Sequence, residues 1–150
     1  MIKNLLQNYI KDYKITLTEN QYEQFQKYFE LLAEWNEKMN LTAITDESGV
    51  ALKHFADSLS LLNFVDIPQN SSLADVGTGA GFPGVVLKIA RPDIKLTLID
   101  SLNKRLVFLG EVCAQLGIEA ELIHSRAEDG ARDEKLRESF DFAVSRACLL

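Results

Sequence analysis

A chain of 150 residues, 47% of them hydrophobic, is large enough to fold as one domain with a buried core. Its formal charge of −6 argues against the broad, sequence-independent attraction to nucleic acid that basic domains show, although a locally basic site remains compatible with it. No apolar run is long enough for a membrane span, the start of the chain lacks a secretory signal pattern, and Cys113 and Cys148 have no metal-ligand spacing. We therefore expect a cytoplasmic protein with reduced thiols, no membrane segment and no metal site.

The first part of the chain has helical patterns. Thr18 and Gln21 resemble a capping box, which predicts that a helix opens there and runs to about Lys38. Apolar and aromatic residues spaced by three or four along this helix predict one buried stripe of Tyr22, Phe25, Phe29, Leu32 and Trp35.

Asn40-Leu41-Thr42 breaks that pattern, and a further helical stretch follows Asp46. The apolar positions of this second stretch are Leu52, Phe55, Leu59 and Leu62. Residues 1–68 are thus predicted to form a helical N-terminal region of a single domain that spans 1–150.

The rest of the chain, residues 69–150, alternates between strands and helices. The predicted strands are SLADV (72–76), LTLID (96–100), AELIH (120–124) and FDFAVS (140–145). The predicted helices run from Phe82 to Ala90 and from Leu102 to Leu116, where Gly117 ends the second one. Strands spaced by helices predict right-handed crossovers and a parallel sheet, hence an α/β fold.

A glycine-rich loop comes after the first predicted strand. Residues 75–84 read DVGTGAGFPG, and in a doubly wound sheet ligands bind beyond the carboxyl ends of the strands. The glycines allow a tight turn, and we expect them to bring backbone amides close to a ligand.

Two cofactor classes use such a loop. For a dinucleotide, Gly79, Gly81 and Gly84 satisfy G-x-G-x-x-G, and Asp100 lies further on, at the end of the second strand. For S-adenosylmethionine, the Asp75 carboxylate ahead of the glycines would receive the methionyl ammonium, directly or through water, whereas it would repel a pyrophosphate. Asp100 does not discriminate, since both cofactors offer ribose hydroxyls to an acid at that point.

The segment HSRAED (124–129), after the third strand, does discriminate. In methyltransferases the loop at this point closes over the adenine, and Ala127 and Glu128 would supply its main-chain and side-chain contacts. The structural alternative is a helix N-terminal turn in which Ser125 caps and Glu128 comes three residues later. Together with the acids that end the first two strands, the segment favours S-adenosylmethionine.

Six segments in order resemble one family across nearly the whole chain. They are WNEKMNLTAIT (35–45), KHFADSL (53–59), DVGTGAGFPG (75–84), LIDSLNKR (98–105), SRAED (125–129) and VSRA (144–147). The chain resembles the bacterial ribosomal RNA small subunit methyltransferase G family, also called glucose-inhibited division protein B. The resemblance implies a Rossmann-like fold and an S-adenosylmethionine-dependent enzyme that methylates N7 of a guanine in 16S ribosomal RNA, met as RNA or as the small-subunit particle.

The same resemblance implies the roles of individual residues. The cofactor residues would be Gly77, Phe82, Asp100, the pair Ala127 and Glu128, and Arg146, beside Asp75, Gly79 and Gly81 of the loop. Arg146, just past the fourth strand, would also contact the substrate; its structural alternative is a surface arginine. We expect no general base, because guanine N7 has a free lone pair and no proton to lose.

A polar trio in the N-terminal region has an open role. His54, Asp57 and Ser58 share one helix face, so a metal or acid–base role is conceivable. The favoured interpretation is a polar cluster that pins the N-terminal helices to the glycine loop.

Members of the family that this chain resembles are longer, since they continue with a helix and further strands beyond its last residue. We therefore expect a fragment or truncated product in which the C-terminal strands of the sheet and part of the substrate surface are missing. Alternatives are an NAD(P)-dependent oxidoreductase and a non-catalytic S-adenosylmethionine-binding fragment. The methylated guanine and the oligomeric state are left open.

Overall fold

A parallel sheet of four strands organises the computed structural model, which describes residues 1–126 and 139–146. Its strands lie in the order β3-β2-β1-β4, and every neighbouring pair is parallel. The strands are β1 (Ser72–Val76), β2 (Lys95–Asp100), β3 (Ala120–His124) and β4 (Phe142–Val144). Because the strands are parallel, their carboxyl ends meet at one edge of the sheet, where the glycine loop begins.

The predicted strands are confirmed, with one clear difference in length. β4 covers three residues instead of the expected 140–145, since only these pair with β1. Asp141 is held differently: its carboxylate accepts from the Ser72 amide at 2.9 Å, and its own amide donates to Ser72 Oγ at 2.9 Å.

Helices precede the sheet and connect its strands. They are α1 (Ile2–Tyr9), α2 (Glu19–Met39), α3 (Glu47–Gly49), a π-helical segment (Val50–Ala56), α4 (Asp57–Leu59), α5 (Leu61–Phe64), α6 (Gly84–Ala90) and α7 (Asn103–Leu116). None of the described helices is long and apolar enough to cross a membrane. The predicted helix start at Phe82 is wrong by two residues. Helix α6 begins at Gly84, whose amide donates to the buried Asp75 carboxylate.

Helix α2 begins at the predicted capping box. Thr18 Oγ1 accepts from the Gln21 amide at 3.2 Å, and Gln21 Oε1 accepts from the Thr18 amide at 2.7 Å. The predicted stripe is only partly right: Tyr22, Phe25 and Leu32 are buried, Phe29 and Trp35 are half-buried, and Tyr28 and Leu31 are also buried. The buried face is broader than one stripe because α2 packs on α1, α6 and α7.

The predicted helical stretch after Asp46 is broken into short pieces around the π-helical segment. Phe55 and Leu59 are buried as expected, but Leu52 is 45% exposed. The i→i+5 hydrogen bonds of a π-helix change the angle between successive side chains, so a spacing of three or four no longer keeps them on one face.

The core lies between the helices and the sheet. Leu73 of β1 and Leu98 of β2 are fully buried, as are Val85 of α6 and Phe108 of α7. The expected Rossmann-like α/β fold with N-terminal helices is confirmed. The division of the domain at residue 68 stays a prediction.

Candidate functional site

Asp75, the fourth residue of β1, lies beneath the glycine loop and is fully buried. Its Oδ2 accepts from Thr78 Oγ1 and from the Gly84 amide, each at 2.8 Å. Its Oδ1 is buried without a hydrogen-bond partner among the described residues. Burial is the main reason that the pKa of this carboxyl group rises to about 7. Asp75 therefore fixes the loop through Thr78 and accepts the hydrogen bond of Gly84, the first amide of α6.

Three backbone amides at the start of the loop donate to the ends of β1 and β2. The Gly77 and Thr78 amides donate to the Ile99 carbonyl oxygen at 2.8 and 3.0 Å, and the Gly79 amide donates to Asp100 Oδ2 at 2.8 Å. These three amides are not available to a ligand, because the ends of β1 and β2 already receive them; a ligand contact of the other loop amides stays a prediction.

The outer surface of the loop is open backbone. Gly77 and Gly79 have φ values of +70° and +58°, and a Cβ built on either would meet nothing within 4 Å. Within the described residues, no hydrogen bond reaches the carbonyl oxygens of these two glycines. These two carbonyl oxygens are therefore available as hydrogen-bond acceptors.

Asp100, at the end of β2, is 1% exposed and has both oxygens engaged. Beside the Gly79 amide, it accepts from the Leu102 amide at 2.9 Å and from the Arg105 guanidinium at 3.3 Å. Its carbonyl oxygen accepts from the Ser125 amide at 2.9 Å, so the segment after β3 starts beside it. Ala127 and Glu128 lie outside the described residues, and their cofactor role stays a prediction.

The other side of the loop meets the N-terminal helices through Phe82. The His54 imidazole stacks on the Phe82 ring with centroids 4.3 Å apart and planes within 10°, and the Arg146 guanidinium lies 5.6 Å from that ring. Arg146 also donates to the Lys53 carbonyl oxygen and lies 3.5 Å from Asp57 Oδ2. His54 therefore joins the N-terminal helices to the loop, as the favoured interpretation expects, whereas Asp57 reaches the loop only through Arg146.

Ser58 does not join this contact. It is 4% exposed, and its Oγ has no hydrogen-bond partner among the described residues. The part of the chain that the structure describes holds no group of His, Cys, Asp or Glu side chains arranged for a metal ion.

His54 is a neutral imidazole with both nitrogens engaged. Arg146 Nη1 lies 3.1 Å from Nδ1, and because a guanidinium is only a donor, Nδ1 must be the acceptor. The proton is then on Nε2, which lies 2.8 Å from Thr42 Oγ1. Burial, reinforced by the charge of Arg146, lowers the pKa of His54 to about 4, which agrees with this tautomer.

Tyr28 of α2 is a contact of the loop that the sequence interpretation missed. Its hydroxyl donates to the Ala80 carbonyl oxygen, and its ring lies 5.6 Å from Phe82 and 5.3 Å from Phe55. Desolvation raises the pKa of this phenol well above its usual value, so it stays a donor. Its spacing of three from Phe25 could have placed it on the buried face, although not its hydrogen bond to a loop 52 residues away.

Comparison with known proteins adds an independent line of evidence. Residues 21–149 match the family model described as rRNA small subunit methyltransferase G. Proteins named Ribosomal RNA small subunit methyltransferase G are 56% identical in Thermoanaerobacter sp. (strain X514) and 52% identical in Desulforamulus reducens, each over 91% of this chain and 58% of the relative. The relative in Alkaliphilus oremlandii is 49% identical over 97% of this chain and 62% of its own length. The chain spans 58% to 62% of the length of these relatives, and it belongs to the rRNA small subunit methyltransferase G family.

Proposed function

We propose that this protein is an S-adenosylmethionine-dependent methyltransferase that methylates N7 of a guanine in 16S ribosomal RNA, met as RNA or in the small-subunit particle. Family membership supports methyl transfer to ribosomal RNA. Action on ribosomal RNA would place the protein in the cytoplasm. The observation that carries the choice of cofactor is that the Gly77, Thr78, Gly79 and Gly84 amides are already bonded within the protein, while the carbonyl oxygens of Gly77 and Gly79 accept no hydrogen bond from the described residues.

The loop fits a ligand that is rich in hydrogen-bond donors. A dinucleotide pyrophosphate needs free N–H groups at the start of the helix after the loop, but Asp75 already receives the Gly84 amide and Asp100 the Gly79 amide. The same pyrophosphate would also meet the Asp100 carboxylate, which has the same sign of charge. S-adenosylmethionine instead carries an ammonium group, ribose hydroxyls and an adenine amine, all of which need acceptors.

The proposed cofactor contacts rest on the positions of the residues. The Asp75 carboxyl, with its unpartnered Oδ1, would draw the ammonium group through water, and Asp100 would accept from the ribose with its remaining lone pairs. The other proposed contacts are Gly77, Gly79, Gly81, Phe82, Ala127, Glu128 and Arg146.

The chemistry needs no proton transfer. The cofactor supplies an electrophilic methyl group on a sulfonium. The guanine N7 lone pair forms the new N–C bond while the C–S bond breaks and its electron pair stays on sulfur, which leaves a cationic base and a neutral thioether. His54, with both nitrogens engaged, is poorly placed to act as a base, which supports this route. Orientation of the nucleophile, methyl carbon and sulfur can supply roughly 7–11 kcal/mol.

Calorimetry with S-adenosylhomocysteine and NADH on the same sample tests the cofactor. We expect the first to bind and the second not to, and Asp100→Ala should weaken binding by about 1.5–3 kcal/mol, typical of lost hydrogen bonds to a charged group. Binding of NADH alone would overturn the proposal.

Transfer of a labelled methyl group to unmethylated small-subunit particles tests the reaction. Incorporation at a guanine N7 is expected. Because the chain covers 58% of some relatives, cofactor binding without any transfer would instead favour a non-catalytic binding module.

A further inference from the structure

A depression of about 410 Å³ opens beside the glycine loop, on the side of the N-terminal helices. Its lining comes from three separate parts of the chain: Tyr13 after α1, Leu52 and Lys53 of the π-helical segment with Asp57 of α4, and Arg146 after β4. The proposed cofactor contacts use none of these side chains except that of Arg146. The depression is linked to the loop through Arg146, whose guanidinium lies 5.6 Å from the Phe82 ring.

We propose that this depression binds the target guanine and that the Asp57 carboxylate reads its Watson–Crick edge, an inference that rests on the proposed function. Guanine presents two adjacent donors on that edge, N1–H and the N2 amine, and an ionised carboxylate is a two-oxygen acceptor. The Asp57 side chain is 62% exposed, so its oxygens are accessible to a base. Adenine presents an acceptor at N1 and lacks the N2 amine, so the same carboxylate rejects it.

Asp57 is tied to the cofactor side of the site through one arginine. Arg146 Nη2 lies 3.5 Å from Asp57 Oδ2, and the guanidinium sits 5.6 Å from the Phe82 ring. The pair therefore fixes the reading carboxylate relative to the glycine loop.

This orientation also suits the chemistry at N7. N7 lies on the edge of the purine opposite to N1 and N2, so a base held by Asp57 keeps its nucleophilic edge free for the methyl group. As the N–C bond forms, the ring gains positive charge and N1–H and the N2 amine become stronger donors. Their hydrogen bonds to a carboxylate strengthen in the transition state, which is the kind of interaction that raises a rate.

The remaining lining residues complete a nucleotide site. Tyr13 offers an aromatic ring for stacking, Leu52 is apolar and 45% exposed, and Lys53 adds a positive charge for a phosphate. In a chain of net charge −6, this lining combines two cations and an aromatic ring with the Asp57 carboxylate, a combination that suits one nucleotide of a single-stranded RNA.

Nucleotide titration tests the inference without requiring turnover. The ¹⁵N-labelled chain, saturated with S-adenosylhomocysteine, is titrated with GMP, IMP and AMP while amide chemical shifts are recorded. We expect shifts around Tyr13, Lys53 and Asp57, with GMP binding about tenfold tighter than AMP and IMP, which lacks the N2 amine, in between. Asp57→Asn should bring GMP and AMP to within about twofold, since an amide offers only one acceptor to the same edge.

A matched control is Asp12→Asn, which removes one exposed carboxylate next to Tyr13 but outside the lining. It should keep the preference for GMP, and both variants should bind S-adenosylhomocysteine like the parent. Equal binding of GMP and AMP by the parent, shifts elsewhere, or an unchanged preference in Asp57→Asn overturns the guanine site while the proposed cofactor chemistry stands. Failure of the parent to bind S-adenosylhomocysteine overturns the proposed function and this inference together.

Discussion

The two sides of the glycine loop are held in different ways. On the sheet side, buried carboxylates at the ends of β1 and β2 receive loop amides, and the partners are close in sequence, 9 residues apart for Asp75 and Gly84. On the helix side, Tyr28 and His54 contact the loop through aromatic rings and one carbonyl oxygen. The partners there are farther apart, since 52 residues separate Tyr28 from Ala80.

The difference shows that one side of the molecule sets the conformation of the glycine loop and the other sets its position. Hydrogen bonds from the loop's own amides set its backbone conformation, so the sheet side determines the shape of the loop. Rings packed against Phe82 and a tyrosine bonded to Ala80 set where the loop lies relative to the N-terminal helices. Since the proposed guanine site belongs to the helix side, the two sides would serve cofactor and substrate respectively.

The largest effect is expected at Gly81, where the two sides come closest. Its φ is +104°, and an added Cβ would collide with Tyr28 Oη and lie 2.8 Å from Val85 Cγ2. We expect Gly81→Ala to lower the free energy of unfolding by about 3–5 kcal/mol, from left-handed backbone strain plus overpacking. Urea unfolding measures it.

Gly77→Ala is the matched control for that substitution. Gly77 also has a positive φ, +70°, but open space where the Cβ would stand. It should cost only about 1–2 kcal/mol, from the backbone alone. Equal losses in the two variants would show that Tyr28 does not press on the loop.

Asp75 should give the sheet side a distinctive pH dependence. Its pKa in the folded protein is about 7, against 3.8 for the ordinary carboxyl group, so between about pH 4 and 7 the folded state keeps a proton that the unfolded state loses. Its contribution is therefore fully present below about pH 4 and is lost as the pH rises toward 7. Relative to Asp75→Asn, the parent should lose up to about 3–4 kcal/mol of unfolding free energy over that range. Parallel pH profiles of the two proteins, measured by urea unfolding, would contradict this assignment.

The same contrast explains what the sequence predicts well. β1 and β3 have the predicted bounds, because apolar runs bounded by turn residues are local signals. The capping box at Thr18 and the end of α7 at Gly117 depend on three or four neighbouring residues and are likewise confirmed. The positions of Asp75 and Asp100 at the strand ends are a consequence of the fold class.

Features that depend on tertiary packing were not predictable in this way. The inward direction of the loop amides depends on the register of β1 with β2, which brings the Ile99 carbonyl oxygen under Gly77. The π-helical segment that turns Leu52 outward has no local sequence signal that we recognise. Tyr28 and Ala80 lie in two segments whose sequence patterns are each explained without a contact between them. Those patterns therefore do not predict the contact.

Tyr28→Phe should weaken the helix side by a smaller amount. The ring stays in place, but the Ala80 carbonyl oxygen, in a residue only 6% exposed, loses its donor. We expect a loss of about 1–3 kcal/mol in the free energy of unfolding, the cost of an unsatisfied buried acceptor. Tyr22→Phe, on the same helix and also buried, is the control and should change stability by less than about 0.5 kcal/mol. Equal effects would rule out the loop carbonyl as the cause.

The smallest effect is expected on the chemical step itself, at His54. If transfer to N7 needs no base, His54 acts only by supporting Phe82 and Arg146. Glutamine offers Arg146 an acceptor but has no basic nitrogen. His54→Gln should therefore keep the single-turnover rate at saturating cofactor within about tenfold of the parent, or ~1.4 kcal/mol.

Arg146→Ala is the contrasting variant and should lose far more, because it removes the donor that joins Asp57, His54 and the loop. A His54→Gln protein that folds, binds S-adenosylhomocysteine normally and still loses a thousandfold in rate would mean that the imidazole takes part in the reaction. Both nitrogens of neutral His54 are hydrogen-bonded, one to Thr42 and one to Arg146. That result would therefore also require the hydrogen bond with Arg146 to break before methyl transfer.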